Sequence, residues 1–419
     1  MKRTPLYLAI GAVVLPALYA CVPGSQQASN QPAANTAADS DIISCQFPTD
    51  VPASNASQAD FDRYSWRMFT ALNQAAGAYR GTPDCESPLG SSSNTVWRSY
   101  KQVGEIFLED GANPGPWDSA VNNRNVWNLV SKVSEDGENS ESAINQPVGG
   151  WLTDQQGEPT YYQIAANEVS YDYIVNNGIY NREGVEGFSK VIDFPDYSVE
   201  IKASWRIMSD QDNNSRYLTT LAKVATFDDA GEKNGTKEAT LGLVGLHIIT
   251  KAKGYPQWVW STFEQVDNVT DQSAHGRPNS YFNLEAANNG TANQSPCKNH
   301  AFPCEPKPGS VFSTPNPLTR LTPIAAETDA VNKEAQAELS ANKFMQYYEL
   351  VTTQRPKYPN DPGDPGGTPT PAVSANTTME SYIQPVSSCM DCHSVASIQP
   401  GQRSDYSFMF LHAKSVKQP

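Results

Sequence analysis

The stretch Leu241-Gly242-Leu243-Val244-Gly245-Leu246-His247-Ile248-Ile249 is apolar on both sides of an extended chain, as a strand in the middle of a sheet must be. A turn at Lys253-Gly254-Tyr255-Pro256 leads into Gln257-Trp258-Val259-Trp260-Ser261-Thr262-Phe263-Glu264-Gln265-Val266. Its aromatic and β-branched content predicts the second arm of a hairpin. Upstream, Tyr197, Val199, Ile201, Ala203, Trp205 and Ile207 alternate with Ser198, Glu200, Lys202, Ser204 and Arg206. That period of two is the mark of a half-buried strand. Residues 217–227 read as its antiparallel neighbour across the polar loop 210–215. This loop opens like a calcium-binding loop, but Ser215 and Leu221 stand where Gly and Glu are needed, so it is a turn.

Outward from these strands the pattern becomes helical. Phe61, Tyr64, Met68 and Leu72 fall on one stripe of residues 58–74, with Trp66 and Phe69 beside it. A second helix is expected from Asp329 to Val351, carrying Phe344, Met345 and Tyr348 on one face. Residues 355–373 are too rich in Pro and Gly for helix or sheet interior and read as an extended connection. The expected fold class is α+β: a loop-rich body with a central antiparallel β-sheet and peripheral helices, against which a C-terminal segment packs. No internal repeat is visible.

The N-terminus reads as an export signal. Met1-Lys2-Arg3 precedes the apolar run Leu6–Leu18, and Leu18-Tyr19-Ala20-Cys21 resembles a lipobox, with Cys21 the lipidated residue. The alternative is ordinary cleavage after Ala20 and a soluble periplasmic protein. Val22 after the cysteine resembles the outer-membrane sorting pattern of Gram-negative bacteria. The expected organisation is therefore a signal peptide (1–20), a flexible tether (21–40), the α+β body (41–354), the Pro/Gly-rich connection (355–373) and a C-terminal attachment segment (374–419). The chain carries 45 acidic and 30 basic residues, a formal charge of −15. That argues against nucleic acid and anionic lipid as partners, leaving membrane contact to the N-terminal lipid, and suits a basic redox partner.

Seven cysteines are present. In an oxidising compartment Cys45, Cys85, Cys297 and Cys304 read as disulfides, with Cys45–Cys85 and Cys297–Cys304 the simplest of three connectivities. The remaining pair lies in Cys389-Met390-Asp391-Cys392-His393, which has the C-x-x-C-H spacing of a c-type haem attachment site. On that reading Cys389 and Cys392 carry one covalent haem c and His393 is an axial iron ligand. A C-x-x-C redox pair and half a zinc site are the competing readings. His247, in its apolar strand, is the first candidate for the sixth ligand, with Met409 the alternative; a carbonyl or carboxylate partner for His247 is the plainer account.

Together with Phe69-Thr70-Ala71-Leu72-Asn73, Gly245-Leu246-His247, Pro256-Gln257-Trp258-Val259-Trp260, residues 376–384 and Asp405-Tyr406-Ser407-Phe408, the pentapeptide resembles a bacterial family of exported single-haem c-type cytochromes with a large extra body. The resemblance implies an envelope protein engaged in electron transfer. A haem-dependent oxidoreductase of peroxidase or oxygenase type, and a haem-based binding or sensing lipoprotein, are the alternatives. No catalytic residue is assigned.

Overall fold

The computed structural model describes residues 42–119, 148–298 and 304–417. The lipidation candidate Cys21 and the whole of 1–40 lie outside them. The helices are α1 (Gln58–Leu72), α2 (Val103–Ile106), α3 (Glu168–Asn176), α4 (Arg182–Gly187), α5 (Leu284–Asn289), α6 (Ala326–Glu338) and α7 (Cys389–His393). The strands are β1 (Lys101–Gln102), β2 (Tyr161–Ala166), β3 (Val199–Ile207), β4 (Thr219–Phe227), β5 (Lys233–Thr250), β6 (Val259–Gln265), β7 (Tyr348–Pro356), β8 (Pro369–Thr370), β9 (Ser397–Gln399) and β10 (Gln402–Arg403).

Eight strands form one antiparallel sheet in the order β1-β2-β3-β5-β6-β7-β8, with β4 also on β5. The α+β class and the central antiparallel sheet are as the alternation requires. The apolar run 241–249 is the inner half of β5, held by β3 along one edge and by the end of β4 and then β6 along the other. One pairing differs from the sequence reading: β4 pairs with β5, not with β3. Strand β5 is 18 residues long, long enough to give one edge to two partners in turn. β4 runs along Lys233–Gly242 and β6 along Gly245–Thr250.

The expected helix 329–351 also ends early. Helix α6 stops at Glu338, two 3-10 turns follow, and Tyr348-Glu349-Leu350-Val351-Thr352-Thr353 is strand. The Asn332 side chain fixes this change of direction. Its Nδ2 donates to Leu350 O at 2.8 Å and its Oδ1 accepts from Leu350 N at 2.9 Å, clipping the strand to the helix. The connection 355–373 contributes β8, which pairs with the end of β7.

Helix α1 starts in a capping box, with Ser57 Oγ accepting from Asp60 N and Asp60 Oδ2 from Ser57 N. It packs on one face of the sheet. Phe69 stacks on Phe263 at 4.4 Å between ring centres, and Ser65 Oγ meets Ser261 Oγ and Thr353 Oγ1 at 2.7 Å. Its far side is covered by α6, where Trp66 Nε1 donates to Asn332 Oδ1. Leu246, Ile248, Ile201 and Ala203 share that apolar side of the sheet by register, and all are buried.

The opposite face is polar, and it too is buried. Ser204 and Arg206 have no exposed surface and Glu200 almost none, so β3 is not the half-solvated strand its alternation predicts. Residues 374–380 lie over it. Asn376 Nδ2 donates to Thr262 Oγ1 at 3.0 Å and Phe263 O at 2.9 Å. Thr377 donates to Glu264 through both its N–H and its hydroxyl, and Arg320 holds the same carboxylate at 2.7 Å. Thr378 Oγ1 meets Ser204 Oγ at 2.7 Å. The C-terminal stretch is thus a layer hydrogen-bonded into the sheet, and among the described residues no separate haem-binding segment stands beside the body.

Gly245 lies where the two layers approach closely. A Cβ there would stand 2.5 Å from both Ser204 Oγ and Thr378 Oγ1 and 3.0 Å from Asn376 Oδ1. Gly245→Ala should therefore cost about 1–3 kcal/mol of stability by overpacking. Adding Thr378→Ala should recover part of that loss, as denaturant unfolding of the single and double variants will measure.

Candidate functional site

The pentapeptide 389–393 forms the single turn α7. Ser388 caps it, its hydroxyl accepting from Asp391 N and donating to Gln354 Oε1 on β7. Gln354 Oε1 also accepts from Met390 N at 2.9 Å, and Met390 is fully buried. With Met390 pinned inward, Cys389 is left half-buried and Cys392 exposed, three residues apart and hence close on the helical turn. Cys389 Sγ lies 3.4 Å from Ser374 Oγ. Burial, reinforced by the negative charge of Glu380, pushes the Cys389 thiol up to about 12. The protein side of Cys392 is also desolvated, and with Glu380 near by its pKa rises above the ordinary thiol value.

His393 sits between the rings of Trp260, 4.6 Å away, and Phe408, 4.9 Å away. Its Nδ1 is 2.7 Å from Tyr406 O. A carbonyl only accepts, so Nδ1 carries the proton and Nε2 the lone pair. Burial lowers its pKa to about 4, so the ring is neutral near pH 7.

Beneath α7 lies the polar sheet face. Lys202 pairs in register with His247, and His247 with Thr262, which sets the three side chains in one row. Glu380 closes over the row, with Oε2 3.6 Å from His247 Nε2 and accepting from Asn376 N at 2.8 Å. Burial works to raise Glu380, but His247, Lys202 and the Asn376 N–H outweigh it and hold the carboxyl below its usual range. Burial lowers Lys202. Further along the face Glu200 is pushed up to about 8 by burial, against a hydrogen bond from Ser407.

These placements correct the haem reading. Among the described residues no group of three or more His, Cys, Asp and Glu side chains assembles that could hold a metal ion. Cys45–Cys85 and Cys297–Cys304 are disulfides with Cα separations of 5.7 and 5.5 Å. His247, the expected sixth ligand, instead faces the Glu380 carboxylate, with Nε2 3.6 Å from Oε2. Met409 is buried in the apolar core beside Phe410. The covalent haem c, the iron ligation by His393 and His247, the resemblance to exported c-type cytochromes and the haem-based electron-transfer, oxidoreductase and sensing roles are therefore set aside. The pentapeptide was the one motif among them with definite chemistry, and a spacing fixes a helical turn without fixing what that turn binds. No protein-family model matches the chain, and neither a curated protein nor a solved structure matches it.

What the structure does bring together is Cys389, Cys392 and His393 above Lys202, His247 and Glu380. Lys202 was on the right side of the β3 alternation to be found. Glu380 lies 133 residues beyond His247 and gave no local signal.

The charge state of this face has a measurable consequence. Glu200 keeps its proton in the fold up to about pH 8, whereas the unfolded chain releases it near the ordinary 4.5. Its contribution is therefore full below the lower value and is lost as pH rises through the higher one, with a slope of at most about 1.4 kcal/mol per pH unit. Glu200→Gln should flatten the decline of stability between these values. Asp154 and Glu349, raised by burial to about 6 and about 7, act in the same direction in both proteins. The difference between the wild-type and Glu200→Gln unfolding curves across this pH range isolates the one group.

Proposed function

We propose that this is an envelope thiol–disulfide redox protein whose working pair is Cys389 and Cys392. The observation that carries the reading is that these two thiols stand outside the disulfides, on one turn of helix beside a neutral imidazole. The four other described cysteines are already closed, which fits the oxidising compartment that the N-terminal sequence predicts.

The exposed Cys392 is the thiol that meets a partner. As a thiolate it attacks a partner disulfide, forming a mixed disulfide and expelling one partner thiolate. Cys389 then attacks the Cys392 sulfur, closing the Cys389–Cys392 disulfide and releasing the second partner thiolate. Two thiol protons pass to the two thiolates released, and the partner gains the two electrons that the pair loses. His393, adjacent to Cys392 in sequence and unprotonated at Nε2, is a neutral but weak acceptor for the Cys392 proton, its pKa of about 4 keeping the exchange slow.

Raised thiol pKa values withdraw the thiolate stabilisation that makes a dithiol pair a strong oxidant. The couple should therefore be reducing, with a potential of about −270 mV or lower. The acidic surface favours a basic partner, and an acyl chain on Cys21 would keep the body at the outer membrane of a Gram-negative envelope.

The test begins with mature protein from an envelope fraction, reduced, denatured and alkylated. Intact mass should rise by six labels, four on the opened disulfides and two that peptide mapping assigns to Cys389 and Cys392. Cys389→Ser should accumulate a mixed disulfide through Cys392, and redox titration against a dithiol buffer should place the pair at the reducing end. Cysteines that take no label after reduction, because another covalent group already occupies them, would overturn the reading. In native protein, alkylation of Cys392 should still be accelerating above pH 9, about tenfold per pH unit below its pKa, because its thiol is raised.

A further inference from the structure

Left-handed backbone at residues other than glycine is sterically costly and persists only where surrounding structure holds it. Among the described residues six such positions occur: Tyr197, Trp258, Asn293, Asn360, Asp405 and Tyr406. Asparagine and aspartate tolerate this conformation, which leaves Tyr197, Trp258 and Tyr406 to be explained, and these three gather with Asp405 at Lys251. Tyr197 N donates to Lys251 O at 2.7 Å. The Lys251 ammonium lies 5.7 Å from the centre of the Trp258 ring. It donates to both Asp405 oxygens at 2.9 and 2.7 Å, and Tyr406 is the next residue.

Lys251 is only 4% exposed, and its three donors are all engaged, on Asp405, on Asp193 at 3.0 Å and on Pro256 O at 3.2 Å. Asp405 Oδ2 also accepts from Phe194 N at 2.8 Å. Asp405 and Tyr406 have φ of 51° and 67°, and this turn presents Tyr406 O to His393 Nδ1.

We propose that Lys251 is a positioning residue for His393. Its ammonium clamps the Asp405 carboxylate, the clamp holds Asp405 and Tyr406 left-handed, and the turn so formed aims the Tyr406 carbonyl at Nδ1. The result is one fixed tautomer, with Nε2 kept as the basic nitrogen. The value of that tautomer to the thiol pair rests on the function proposed above, but the coupling between Lys251 and the His393 ring does not.

The tautomer can be read directly by nitrogen NMR of ring-labelled full-length protein, with His393 assigned through His393→Gln. Wild type should show His393 protonated at Nδ1 alone, and Lys251→Arg should retain it. Lys251→Met should lose the single Nδ1–H form and give mixed tautomers. Lys251→Met with Asp405→Gly should restore it, because glycine takes the left-handed turn without a clamp. A merely structural lysine would lower stability without moving the tautomer. An unchanged Nδ1–H signal in Lys251→Met overturns the proposal. Should that variant not fold, Asp405→Ala, which removes the clamped carboxylate without easing the left-handed conformation, must show the same mixing, and an unchanged signal there overturns it equally. Failure of thiol labelling with the tautomer effect intact removes the redox reading and leaves the clamp.

Discussion

Burial of a polar sheet face under the chain's own C-terminal layer is the constraint on which the rest of the structure depends. Ser204, Arg206 and Glu264 lie inside the protein. Each would cost several kcal/mol if desolvated without partners. Two groups of partners prevent that. Residues 376–380 saturate Glu264, Thr262 and Ser204, while Asp154 and Asp212 enclose Arg206. The price of such a face is specificity: its donors and acceptors match only one overlying chain in one register, and Gly245 leaves no room for any other.

This arrangement explains where the reactive groups sit. Helix α7 follows directly from the docked layer, so its position is set by Gln354 and Ser388 on one side and by the Asp405–Tyr406 turn on the other. The cysteine pair is consequently held at the boundary between a buried ionic floor and solvent. Burial and the Glu380 charge act together on the thiols, and both favour the protonated form. The same burial keeps His393 neutral. A site with high thiol pKa values and a neutral base suits slow, reducing thiol exchange better than rapid oxidation of partners.

The two disulfides lie away from this site in role as well as in sequence. Cys45–Cys85 closes a loop of 40 residues around the start of the fold, and Cys297–Cys304 a loop of seven. The chain-entropy model gives the longer loop the larger stabilisation, about 3–4 kcal/mol. Helix α1 illustrates a second way in which the fold uses its aromatic content. Its stripe of Phe61, Tyr64, Met68 and Leu72 is buried, Ser65 and Phe69 meet the sheet, and Trp66, off that stripe, is hydrogen-bonded to α6. A helix that reads as amphipathic is therefore covered on two sides.

The sequence by itself determined the α+β class, helix α1, the hairpin of β5 and β6 and the alternation of β3, because each rests on periodicity within a few residues. It also picked out Cys389, Cys392 and His393 as a unit. It misassigned β4, since nothing local says that one long strand will share an edge between two partners. It also ran a helix through Tyr348–Val351, where a side chain from α6 holds the backbone extended. Only the tertiary structure decided that the polar side of β3 is interior and that His247 belongs to Glu380. It alone set Lys251 behind the turn that holds His393. Those facts depend on segments more than a hundred residues apart whose polar groups match one another, and complementarity at that range leaves no periodic trace in either segment.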